Sequence, residues 1–266
     1  MSLYAKFRRG IAYAGLPAAS GPGEVIEASR LDPLPEPAQR YLRFMGVVGR
    51  AQDWSFQLSF RGRFRTKPHQ PWMKCETWQY NSRPAMARLF YIRIRFGGVV
   101  SVLARDTYVG GRGRMLVRLM DAFTIEDGTG EAYDNGELVT YLNDAVFISP
   151  TMLFVPEVSW TPVDGSSFEV SLTDHGRTVA ARVFVAANGA PTDFSTTDRF
   201  CADPDEPKSL MRARWTTPVD GWQVINGRPS PTRGQAVWQL PAGPFPYADF
   251  APIARSLVFN VPPGAD

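Results

Sequence analysis

The sequence predicts a mainly β protein: a large curved or closed antiparallel sheet, half-barrel or barrel-like, packed on one central helix, with a short N-terminal helix ahead of it. Three observations predict this. Segment after segment alternates apolar and polar residues, the period of a strand with one buried face. The breaks between neighbouring segments are tight turns such as Asp174-His175-Gly176 and Asn188-Gly189, too short for parallel crossovers. One long segment, Glu137 to Ile148, has its apolar residues spaced for a helix instead.

Residues 1–33 read as an N-terminal arm and residues 34–266 as a single β-rich domain. In the arm, Lys6, Arg8 and Arg9 precede Ile11-Ala12-Tyr13-Ala14. That apolar run is short and is broken by Gly10, Gly15 and Pro17, which argues against a secretory signal and for a mobile or surface-lying segment. Weak contact with anionic lipid is its functional alternative. No stretch approaches the ~18 apolar residues of a spanning helix. The expected location is the cytoplasm.

Leu34-Pro35-Glu36-Pro37 opens the short helix, which runs through Phe44 with Leu34, Tyr41, Leu42 and Met45 toward a core; proline suits its first turn. From Trp54 the period changes to two, and a long half-buried strand runs to Arg65. Further strands are expected at Trp72 to Tyr80, Ala85 to Arg95, Val99 to Val109 and Met115 to Met120. Beyond the helix they resume at Phe168 to Thr173, Thr178 to Ala186, Thr192 to Phe200, Arg212 to Pro218, Trp222 to Ile225, Gly234 to Leu240 and Ser256 to Val261. The central helix is led in by Asp134-Asn135-Gly136 and stopped by Pro150, with Leu138, Tyr141, Leu142, Ala145 and Val146 on its apolar face. A lone amphipathic helix among so many strands buries that face on the sheet, and a curved sheet wrapped over it leaves a cleft.

Several activities are excluded. Two histidines, His69 and His175, and two cysteines, Cys75 and Cys201, cannot build a multi-histidine or four-thiolate metal site, so no metal and no cofactor is expected. Gly110-Gly111-Arg112-Gly113 precedes a strand rather than a helix, which makes it a hairpin turn rather than a phosphate cradle. Charge is segregated: residues 61–118 hold 13 Lys or Arg against Glu76 and Asp106, whereas residues 119–207 hold three Arg against 16 acids. The two segments either pair as neighbouring strands or present a surface for an anionic ligand. No nucleic-acid module is present, and arginines alternating along strands do not form a basic arm.

Glu137, Tyr141 and Asp144 recur at i, i+4 and i+7 and so share one side of the helix, where two carboxylates and a phenol could carry acid–base chemistry. Helix-dipole and ion-pair roles are the structural alternatives. Asp106 and Tyr108 face the same way in a strand and form a candidate ligand-binding pair; Arg199 is a candidate for bidentate contact with a ligand carboxylate. Trp160, Trp215 and Trp238 are candidate binding platforms or core.

Gly136-Glu137-Leu138-Val139-Thr140-Tyr141-Leu142-Asn143-Asp144, Pro150-Thr151-Met152-Leu153, Asp106-Thr107-Tyr108, Thr197-Asp198-Arg199-Phe200 and Gly243-Pro244-Phe245-Pro246-Tyr247 together resemble an uncharacterised bacterial β-rich family, a domain of unknown function. The resemblance spans roughly Leu34 to Phe259. In that family the helix carries Arg-Tyr-Leu-Asn-Glu; here Thr140 stands for the arginine and Asp144 for the glutamate. The resemblance implies a β-rich fold similar to curved-sheet carriers of lipid acyl chains. The leading expectation is binding of a hydrophobic or amphipathic small molecule between sheet and helix. The alternative is a cofactor-free isomerase or cyclase acting on an apolar polyketide-like or terpenoid substrate, and a third class is a structural protein without a pocket.

Overall fold

The computed structural model describes residues 1–19, 21, 23–96, 100–203, 206 and 209–264. Helix α1 (Leu3–Ala14) and helix α2 (Glu36–Phe44) precede a first run of strands: β1 (Ser55–Leu58), β2 (Phe60–Phe64), β3 (Met73–Ser82), β4 (Ala87–Phe96), β5 (Val100–Val109), β6 (Arg112–Leu119) and β7 (Phe123–Thr129). Helix α3 (Glu131–Ile148) follows. The second run is β8 (Val158–Asp164), β9 (Ser167–Asp174), β10 (Arg177–Val185), β11 (Pro191–Ala202), β12 (Leu210–Thr216), β13 (Val219–Asp220), β14 (Gln223–Ile225), β15 (Arg228–Ser230), β16 (Arg233–Leu240), β17 (Gly243–Pro252) and β18 (Val258–Phe259).

The main path of the sheet runs β7-β6-β5-β4-β3-β2-β17-β16-β12-β11-β10-β9-β8. Two antiparallel meanders are thus sewn together where β2 pairs with β17, Phe64 opposite Ala248 and Phe60 opposite Pro252. The chain leaves the first meander at one edge, β7, and enters the second at the other edge, β8. Helix α3 is the link, so it must cross the width of the sheet. It packs on both β6 and β11, which have seven strands between them. In a flat sheet those two strands would lie about 38 Å apart at the usual ~4.8 Å spacing, whereas a helix is only ~10–12 Å across. The sheet therefore curls around α3 as a half-barrel.

Alternation along the strands assigns the two faces. On β4, Arg88, Phe90, Ile92 and Ile94 point to the side of α3, while Leu89 and Tyr91 point to the outer side and pack with Leu3, Phe7 and Ile11 of α1. Helix α2 lies beside α3, with the buried Tyr41 hydroxyl donating to the Val146 carbonyl at 2.8 Å. The core under both helices includes Leu138, Leu142, Val146, Phe168, Phe194 and Trp215.

The fold class is as the sequence predicts, with local departures. The arm is an ordered helix: Ser2 caps it by accepting from the Ala5 amide at 3.1 Å, and its apolar stripe is buried on the sheet. Helix α3 begins at Glu131 rather than Glu137. The Asp134-Asn135-Gly136 turn signal is overridden because the Asp134 carboxylate accepts from the Gly113 amide at 2.7 Å and pairs with Arg177 at 2.9 Å, pinning the first turn onto β6. Gly113 permits this approach, since a Cβ there would lie 2.1 Å from the Tyr133 carbonyl oxygen. The long strand from Trp54 is divided at Ser59 into β1 and β2. The expected strand at Ser256 to Val261 is instead a 3-10 turn, Ala254–Ser256, and the two-residue β18. Gly110 and Gly111 both have positive φ, 59° and 74°, and form the tight β5–β6 hairpin.

Candidate functional site

The centre of the inner face is charged. Arg88 on β4, buried by its apolar neighbours, points at the middle of α3. Its Nε donates to Asp144 at 2.6 Å and its Nη1 to Glu137 at 3.0 Å, while Asn81 on β3 donates to the same Asp144 oxygen at 3.3 Å. The helical spacing that aligned Glu137 and Asp144 thus delivers both to one guanidinium. That cluster is closed: each carboxylate has its cation, and the pairing of basic with acidic segments holds here as it does for Arg114 with Asp127 and Arg105 with Asp121.

Asp106 is different. On β5 it stands directly across from Phe90 and from Met115 of β6. Its Oδ1 is buried, and no described residue donates a hydrogen bond to it. Burial raises its pKa to about 7; repulsion from Glu137 adds to the rise, and the positive charges of Arg88 and Arg199 offset part of it. Arg199, on β11 from the opposite wall, has a buried Nε likewise without a partner among the described residues. Its guanidinium lies on the Trp215 ring at 4.3 Å and near Trp238 at 5.6 Å, and its Nε comes within 3.7 Å of where a Cβ on Gly136 would sit. Trp215 is fixed in turn by its Nε1 donating to the Tyr247 hydroxyl at 3.0 Å.

A half-buried carboxyl and a half-buried guanidinium, each with one buried atom that has no partner among the described residues, therefore face the helix from the two walls. The surfaces beside them are apolar and only half-buried: Ala104, Met115 and Val117 on the Asp106 side, and Cys201 and Met211 on the Arg199 side. Such an arrangement can hold a polar group between the walls and an apolar body along the strands.

The other expected residues fall elsewhere. Tyr108 is fully buried and donates to Asp174 at 2.7 Å, and burial together with that carboxylate pushes its hydroxyl well up. Tyr141 is in the core; burial raises its pKa, and the charges it senses are Arg83, Asp174 and Asp144. Trp160 packs on Tyr41 and Phe168 beneath α2, apart from the Arg199 cluster. Arg88 was not singled out from the sequence; an arginine directly ahead of the apolar run Leu89 to Ile92 was the available signal. Nor was Asp53, fully buried and held by Arg228, Ser149, Thr151 and Asn260, where it ties three other segments of the chain to its own.

A family model described as a family of unknown function (DUF6544) matches residues 24–250. The chain belongs to that family. No curated protein gives a match. Among solved structures, the DUF6544 chain is similar to a LolA superfamily protein from Nitrosomonas europaea, at 12% identity and a TM-score of 0.36, over 86% of this chain and 92% of that one. No helix among the described residues is long and apolar enough to cross a membrane.

Proposed function

We propose that the protein binds an amphipathic small molecule on the inner face of its half-barrel, with the polar head between Asp106 and Arg199 and the apolar body along β4, β5 and β6. The observation that carries this reading is the pair of buried polar atoms left without partners, Asp106 Oδ1 and Arg199 Nε, set in a half-buried apolar surround. An unpartnered buried polar group costs about 1–3 kcal/mol, and a ligand head that satisfies both recovers that cost. Around neutral pH the Asp106 carboxyl is about half protonated. It then donates, as Arg199 does, so the site favours a head group rich in acceptors, such as a carboxylate. The two unpaired cysteines support a reducing compartment, the cytoplasm.

Tryptophan emission tests this, because Trp215 and Trp238 flank Arg199. Titration with dodecanoate should shift the emission and saturate, dodecylamine should not, and Arg199→Met should weaken dodecanoate binding about tenfold or more. Absence of saturable binding, or equal binding by the variant, would refute the assignment.

One observation favours a second reading. A carboxyl titrating near 7 suits proton transfer, as an isomerase or cyclase working on an apolar polyketide-like or terpenoid substrate requires. That reading predicts an Asp106→Asn variant that keeps ligand binding and loses turnover.

A further inference from the structure

The strand rows that lead away from Asp106 end in an exposed patch. On the inner face, Ile92, Ile94 and Phe96 continue β4, Ala104, Val102 and Val100 continue β5 in the opposite direction, and Val117 and Leu119 continue β6. They converge on one end of the half-barrel. There Phe123 is 70% exposed, Met120 56% and Ile125 59%, with Phe96 and Val100 exposed beside them. The outer face at the same end is cationic. Arg93 and Arg95 of β4, Arg105 of β5 and Arg118 of β6 lie there by the same alternation, joined by Lys6 of α1. Among the described residues these five cations pair with two carboxylates, Glu76 and Asp121. Between them is a hollow of ≈ 310 Å³ lined by Met1, Lys6, Arg93, Arg95, Met120 and Asp121, among others.

Apolar tips on one face and excess positive charge on the other, meeting at a single end, match the interface of an anionic bilayer. Aromatic and aliphatic side chains enter the headgroup–acyl boundary, while the arginines remain at phosphate level. Apolar exposure of this kind, concentrated rather than scattered, marks an interaction surface. We infer that the β6–β7 hairpin end docks on anionic membrane surfaces. The apolar rows then run from the bilayer toward Asp106, which gives a lipid-like molecule a continuous path.

Sedimentation of the full chain with vesicles of phosphatidylcholine, with and without phosphatidylglycerol, tests this. Binding is expected to the anionic vesicles and to weaken as salt is raised, because exposed charges are screened. Arg95→Gln should weaken it about fivefold. The double variant Met120→Ser/Phe123→Ser, at exposed positions that the fold does not need, should weaken it at least about tenfold with an unchanged circular dichroism spectrum. Failure to bind anionic vesicles at low salt would overturn the inference, as would equal binding by the double variant. A parent chain that is dimeric by light scattering and becomes monomeric in the double variant would also overturn it, since the patch would then close on a second copy.

Discussion

Replacing Asp106 by Asn isolates the energetic signature of the site. In the folded protein the Asp106 carboxyl titrates at about 7, against ~3.9 in an unfolded chain. The gap of roughly three pH units, at about 1.36 kcal/mol each, means that ionising the group in the fold costs on the order of 4 kcal/mol. The folded state holds the proton to higher pH than the unfolded state. The stability tied to this proton is therefore fully present below about pH 4 and is lost as pH rises toward about 7. Asp106→Asn mimics the protonated carboxyl at every pH. Relative to the parent it should be more stable by only about 1 kcal/mol near pH 4.5 and by up to about 4 kcal/mol near pH 8. Urea unfolding of both proteins at the two pH values measures this difference directly and cancels the titrating groups that Asp106 does not influence. A variant whose relative stability is the same at both pH values, or lower at the higher one, would refute the buried, unpartnered placement of Asp106.

Arg88→Met leaves Glu137 and Asp144 buried without their shared cation and should cost about 3–5 kcal/mol in urea unfolding; adding Glu137→Gln and Asp144→Asn should recover a large part. Asp144→Ala alone should cost a similar amount, because it strands Arg88 Nε. Asp53→Ala removes the acceptor shared by Arg228, Ser149 and Thr151 and should lower the thermal midpoint by several degrees, read by circular dichroism.

Strand alternation carried most of the fold. The row Phe56 to Phe64 shows its faces openly, and the spacing of Leu138, Tyr141, Leu142 and Val146 marks the one long helix. Five strands escaped, the short β13 and β15 among them, and the other three for physical reasons. β17 is interrupted by Pro244, Pro246 and Pro252, which disguise a strand; β8 contains Pro162; and β7 is an edge strand whose apolar residues face solvent and break the usual burial pattern. Helix α1 was hidden because Gly10 reads as a breaker, yet its Cα packs so closely on Tyr91 that a Cβ would lie 2.1 Å from the hydroxyl oxygen. At the site, Asp106 and Arg199 were legible as isolated charges within stretches of the opposite sign. Their being left unpaired was not, because that depends on Arg88 taking both helix carboxylates across the fold.

Native mass spectrometry of the purified protein beside its Arg199→Met variant tests the central claim most directly. The parent is expected to carry a non-covalent adduct, extractable into organic solvent and identifiable as an amphipathic molecule with an acceptor-rich head, and the variant to carry it at about one tenth of the occupancy or less. A parent that stays unliganded and takes up no added amphiphile, or a variant loaded equally, would contradict it.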